Sequence, residues 1–190
     1  MKTRKAYFLY VIIFILVIIF GMFVLPKKGL SPVKTSSMNI SSIEFKNNEA
    51  IPSKFTCQGK NINPELEISG VPAEAKSLTL IMDDPDIPDF VKKSMGIEVF
   101  DHWVAFNIPP QTAKINEGTE PGGTAGANSS GKNGYTGPCP PDREHRYFFK
   151  LYALDSMLDL PAGSNKQAVE KAMAGHIISQ AELIGTYVKK

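Results

Sequence analysis

Four short segments concentrate the side chains that could do chemistry. Asp83-Asp84-Pro85-Asp86 is a carboxylate cluster at the end of an apolar run. Asp101-His102-Trp103 puts an imidazole at the start of a second run, and His145-Arg146-Tyr147 puts another imidazole and a phenol at the start of a third. Between them, Tyr135-Thr136-Gly137-Pro138-Cys139-Pro140-Pro141 reads as a rigid turn in which Gly137 lets the backbone approach a guest closely. Each segment also has a plainer reading. Asp-Pro clusters end strands by bonding their own backbone, and a lone histidine is more often a satisfied hydrogen-bonding residue than a ligand. Together the residue types suit an oxyanion: two imidazoles and a phenol can donate to its oxygens, and a neighbouring Asp favours the charged imidazole.

No activated nucleophile accompanies these groups. There is no Gly-x-Ser-x-Gly elbow, and Ser129-Ser130 lies in loop sequence without a base beside it. The enzymatic alternative is a metal-dependent hydrolase with His102, His145 and Asp84 or Asp86 as a two-histidine, one-carboxylate set. Neither His-x3-His nor His-Glu-x-x-His occurs, so the spacing does not favour it. We expect no cofactor and no resident metal. Two cysteines, Cys57 and Cys139, are too few for a disulfide-built scaffold or a Cys-only zinc site. They form either one bridge or two buried thiols.

The elements that must position these residues are mostly strands. Residues 39–45 and 65–69 alternate polar and apolar, whereas 77–82 and 102–108 are nearly continuous apolar runs suited to central strands. Residues 147–154 form the clearest strand, and 181–188 a weaker closing one. Prolines 52, 64, 72, 85, 88, 109 and 110 mark the turns between them. One helix is predicted, from about Lys166 to Ile178, with Val169, Met173 and Ile177 on one face and Ser164 or Asn165 as its cap. The Gly-rich stretch 116–137 is too long for an ordinary connection, and we expect a binding loop that wraps a pocket.

The organisation in front of this domain differs in kind. After the basic tip 1–5, residues 6–25 carry no charge and are nearly all apolar, enough at about 1.5 Å per residue to cross a ~30 Å hydrocarbon core. A cleaved signal peptide is the competing reading; the length of the run and the lack of a small-x-small site before Lys27-Lys28 weigh against it. Residues 26–37 read as a flexible linker and 38–190 as the domain. With its short basic tip in the cytoplasm, the chain is expected to be a single-pass membrane protein whose domain lies outside, or a secreted protein if the signal is removed. The formal charge of +2 conceals six Lys/Arg and no acid in residues 1–37, which leaves 15 basic against 19 acidic residues in the domain, a net −4. That balance excludes the electrostatic footprint of a nucleic-acid binder.

The order and spacing of these motifs carry a resemblance. Phe55-Thr-Cys-Gln-Gly59, Asn63-Pro64, Asp84-Pro-Asp86, His102-Trp103, Asn107-Ile-Pro109, Gly137-Pro-Cys-Pro-Pro141, His145-Arg-Tyr147 and Ala181-Glu-Leu183 follow one another as they do in the phosphatidylethanolamine-binding proteins, a family that includes the Raf kinase inhibitor proteins. The chain resembles their bacterial and archaeal branch over nearly the whole domain. The resemblance implies a mostly β fold, a large antiparallel sheet packed on a smaller one in Greek-key order with a C-terminal helix. It also implies a pocket for an anion such as phosphate or a phospholipid head group. Asp84, Asp86, His102, Gly137, Pro138, His145 and Tyr147 are the ligand-binding residues it implies, with Asp84 orienting a histidine. Arg146 would face away as a structural ion-pair partner. A partner kinase or protease regulated by the domain is a further expectation. The stretch 88–101 departs from the short loop of bacterial members, so the pocket rim is expected to differ.

Overall fold

A computed structural model describes residues 37–190. The apolar run 6–25 and the linker as far as residue 36 lie outside the described residues. Among the described residues, no helix is long and apolar enough to cross a membrane.

Two sheets face each other across the main core. The smaller is β1 (Asn39–Ser41), β3 (Leu66–Ser69) and β6 (Lys114–Ile115), antiparallel in the order β1-β3-β6. The larger has the order β2-β9-β8-β4-β5-β7, from β2 (Glu49–Ala50), β4 (Ser77–Asp84), β5 (Phe100–Ile108), β7 (Thr124–Ala125), β8 (His145–Leu154) and β9 (Ile177–Tyr187). It is antiparallel except at its edge, where β2 runs parallel to β9. Ile40, Leu66, Ile68 and Ile115 of the small sheet pack with Leu78, Leu80, Met82, Trp103, Phe149 and Leu183 of the large one. All eight residues of β4 are buried, because β5 and β8 flank it and both its faces are covered. This is why its sequence is a continuous apolar run and not an alternating one.

The pairing of β4 with β5 slips at one point. Met82 faces Trp103 and Asp83 faces Asp101, so His102 has no partner and forms a bulge. An extra residue of this kind breaks the alternation of faces. His102 and Trp103 consequently share the inner side, where His102 meets Tyr147 and Trp103 meets Tyr135, while Asp101 reaches Lys166 on the outer side.

The helices differ from the sequence expectation in two ways. The C-terminal helix, here α2, spans Lys166–Met173 and stops five residues short of Ile178. Gly175 at φ +84° breaks it, and Ile177 opens β9 as an exposed residue. Asn165 is the cap, its side chain accepting from the Ala168 N–H at 3.0 Å. Val169 and Met173 close a second core with Ile81, Val104, Phe106 and Leu154 on the outer face of the large sheet. The second difference is an additional helix, α1 (Asp89–Met95), within the 88–101 stretch. It has no buried residue, so no apolar face marks it in the sequence, and Gly96 ends it in the left-handed region at φ +68°.

The Gly-rich stretch is less of a pocket loop than expected. Its middle pairs as β7 with the edge of β5 and bridges to Asn133 and Asn165, and only Thr136 and Gly137 at its end reach the cavity described below.

Cys57 and Cys139 form a disulfide with Cα atoms 5.4 Å apart across 82 residues of sequence, and both residues lie at the surface. A loop of that length corresponds to roughly 3–5 kcal/mol in the chain-entropy account. Urea unfolding of a Cys57→Ser, Cys139→Ser variant under non-reducing conditions should show a loss of that order; a stability within ~1 kcal/mol of the parent would contradict it.

Candidate functional site

The ends of β4, β5 and β8 and the proline-rich turn after Gly137 surround a cavity of about 270 Å³. Asp84, His102, Thr136, Gly137, Cys139 and His145 line it, and Ile87, Val91, Phe100, Pro140 and Pro141 supply its apolar wall. Val91 brings α1 to the rim.

His145 is fully buried, and both its ring nitrogens meet carboxylates. Nδ1 is 2.7 Å from Asp84 Oδ2, and Nε2 is 2.8 Å from Asp142 Oδ1. Neutral imidazole carries one N–H, so the two contacts require one more proton on the Asp84–His145–Asp142 set than a neutral ring supplies. The second oxygen of Asp84 accepts the Asp86 N–H at 2.7 Å. The Asp-Pro turn of the plainer sequence reading is therefore present as well, and both oxygens of Asp84 are engaged. Burial lifts the Asp84 carboxyl above the usual carboxylate range despite the pull of His145, whereas the His145 contact holds Asp142 below it. Sequence reasoning missed Asp142. The only signal was a carboxylate three residues before a histidine.

His102 is held differently. Its Nδ1 lies 2.7 Å from the Thr136 carbonyl oxygen, and Thr136 returns its own N–H to the His102 carbonyl at 2.8 Å. Burial drives the His102 pKa down to about 4, outweighing the Thr136 contact and the charge of Asp83. The ring is therefore neutral at neutral pH. The ring is tilted against Phe100 at 4.8 Å and meets Tyr147 edge-on at 5.1 Å between ring centres.

The remaining residues predicted for the site take distinct places. Tyr147 lies behind His102, and its buried hydroxyl has no hydrogen-bond partner. Pro138 is buried in the turn, where its carbonyl accepts the Cys57 N–H at 3.1 Å. Asp86 turns outward and is clasped by Arg146, Nε to Oδ2 and an Nη to Oδ1 at 2.8 Å each. That pair depresses the Asp86 pKa and raises that of Arg146. Gly137 is tightly enclosed: a Cβ there would run into the Phe55 carbonyl and the Asn61 side chain, whose Oδ1 accepts the Gly137 N–H at 2.8 Å. Thr136 was invisible as a site residue in the sequence because it acts through its backbone carbonyl, and Asn61 because its side chain supports the Gly137 amide from outside the polar segments. Among the described residues, no three His, Cys, Asp or Glu side chains group as a metal site, and His145 keeps no nitrogen lone pair free.

Residues 41–188 match the profile of the phosphatidylethanolamine-binding proteins. The chain belongs to that family. A UPF0098 protein of Methanothermobacter thermautotrophicus is 49% identical over 156 residues, covering 79% of this chain and 98% of its own. Among solved structures, a homologue of the family from Chlamydia trachomatis is similar at a TM-score of 0.77 and 44% identity, over 81% of this chain and 99% of that one. Escherichia coli YbcL, described as a member of the mammalian family, is similar at 0.72 and 28%, over 82% and 100%.

Within this family member, the burial of His102 has a consequence for acid stability. A histidine held near pKa 4 when folded and near 6.5 when unfolded stabilises the fold fully above about pH 6.5, and this is lost as the pH falls toward 4. The difference amounts to about 3 kcal/mol. Urea titrations at pH 7.5 and pH 4 should show that loss in the parent and a smaller one in His102→Asn; equal losses would remove His102 as the cause.

Proposed function

We propose that the domain is a binding module whose cavity takes a small oxyanion, a phosphate or phospholipid head group, and that it carries out no covalent chemistry. The observation that supports this reading is convergence. Asp84, His102, Gly137 and His145 come from four segments spread over sixty residues, yet all line one cavity. The Tyr147 hydroxyl is buried behind the lining residues without a partner, and in this reading a guest that opens the wall beside His102 satisfies it. An unpaired buried hydroxyl costs about 1–3 kcal/mol, so its retention fits a partner that arrives from outside.

In this reading the domain works outside the cytoplasm, tethered through residues 6–25. A surface disulfide between Cys57 and Cys139 suits an oxidising space. Loading of the cavity would then be the signal that a partner protein, a kinase or a protease, responds to.

Isothermal titration of inorganic phosphate into the full chain tests the site. One phosphate should bind per chain. Tyr147→Phe should leave the stability unchanged or raise it by up to ~1 kcal/mol, since no protein hydrogen bond is lost, while weakening phosphate about tenfold. Undiminished binding in that variant would take Tyr147 out of the site, and an absence of binding in the parent would end the reading.

A further inference from the structure

We infer that the cavity prefers oxyanions that bring a hydrogen of their own, above all a phosphate carrying a P–OH group, and disfavours oxyanions that present lone pairs alone. This rests on the reading of the cavity as an oxyanion site and adds to it a rule of selection, which favours a phosphate or phosphate monoester over the phosphodiester of a phospholipid head group.

The argument begins with the direction of one hydrogen bond. The Thr136 carbonyl can only accept, so the hydrogen in its 2.7 Å contact with His102 must sit on Nδ1. A neutral imidazole has no second N–H, and Nε2 therefore carries a lone pair. No protein group among the described residues occupies that nitrogen with a hydrogen bond. The groups packed about His102 leave this unchanged: Phe100 and Tyr147 contribute rings, Asp101 turns to the outer face with Asp83, and Asp84 and His145 are engaged with each other.

The rest of the wall is also poor in donors. Both N–H positions of His145 point at Asp84 and Asp142, and the Gly137 amide is spent on Asn61. Pro138, Pro140 and Pro141 have no N–H to offer. What remains on the wall is the Thr136 hydroxyl and the Cys139 amide, with the Tyr147 hydroxyl sealed behind it. The Asp84–His145–Asp142 set with its extra proton still sums to one negative charge. A bare oxyanion would thus meet a carboxylate-rich site and set a lone pair against His102 Nε2. An oxyanion with a P–OH donates to that nitrogen instead.

Inorganic phosphate and sulfate separate these cases, because they match in size and shape and at pH 7 only phosphate carries a hydrogen. Titrated into the full chain at equal ionic strength, phosphate should bind more tightly by about tenfold or more, the penalty for facing a buried acceptor with another acceptor. His102→Asn is the discriminating variant: its amide can still donate to the Thr136 carbonyl, and nothing remains at the Nε2 position. The preference should shrink there to within about threefold. Equal binding of the two anions by the parent overturns the preference alone, and a full preference retained in His102→Asn overturns its origin at His102 Nε2. Binding of neither anion overturns the oxyanion site and the preference with it. A second measurement needs no variant: methyl phosphate should bind the parent several-fold more tightly as the pH falls through its second ionisation near ~6, while tightening toward high pH would refute the proposal.

Discussion

A single unpaired residue in β5 determines which side chains meet in this domain. Without the bulge at His102, strict alternation would place His102 and Trp103 on opposite faces of the sheet. With it, Trp103 fills the core between the two sheets while His102 stands beside it at the cavity, and Asp101 is released to the outer face with Asp83, Lys150 and Lys166. The same irregularity thereby separates two charged systems of opposite purpose. Outside, Lys166 and Lys150 meet the buried Asp83 at 2.7 and 2.8 Å, and its contacts with Asp83 and Asp101 raise the Lys166 pKa against the cost of burial. Even there, Asp83 Oδ1 and Asp101 Oδ1 are buried without a hydrogen-bond partner. Inside, the groups are left partly open toward the cavity.

The inner arrangement is costly, and its cost explains its form. Burying an imidazole and a carboxylate without full hydrogen bonding costs several kcal/mol per ion, so each atom of the pair must find a partner. Asp84 finds two, in His145 and the Asp86 amide, and His145 finds its second in Asp142. The groups that might have been spare donors are consumed in holding themselves in place. His102 meets the same problem by giving up its charge. A site of this composition is not a cationic trap, and any attraction it has for an anion is set by fixed hydrogen-bond polarity more than by net charge.

How much of this was legible depended on whether the information lay in side-chain pattern or in backbone geometry. The apolar runs of β4, β5 and β8 and the order of the polar motifs around them made the mostly β fold and the cluster at Asp84, His102, Gly137 and His145 readable. Edges were harder: β2 and β7, two residues each, have no period to detect. Helix α1 was hidden because it buries nothing and so needs no apolar stripe. The C-terminal helix was overextended because Ile177 continues the spacing of Val169 and Met173, although Gly175 had already turned the chain. The bulge could not be read from composition, since it is a choice of register. Thr136 could not be read as a site residue because any residue has a carbonyl, and Asn61 because its side-chain contact with the Gly137 amide joins segments 76 residues apart. Asp86 belonged to the cluster by sequence and faces Arg146 in space.

The proline-rich corner shows how such a site keeps its shape without regular structure. Residues 135–139 are tied to residues 55–61 by the Tyr135 hydroxyl on the Phe55 carbonyl, the Gly137 amide on Asn61, the Cys57 amide on the Pro138 carbonyl, and the disulfide. Three prolines in the corner remove backbone freedom before any of these contacts form, which lowers the entropy that ordering it must overcome. The contact between His102 and the Thr136 carbonyl depends on that rigidity, because it persists only while the carbonyl is held against the bulge. A mobile corner would let the ring exchange tautomers and accept or donate as a guest required. A clamped corner fixes the hydrogen on Nδ1, and the chemical character of the opposite nitrogen follows from it.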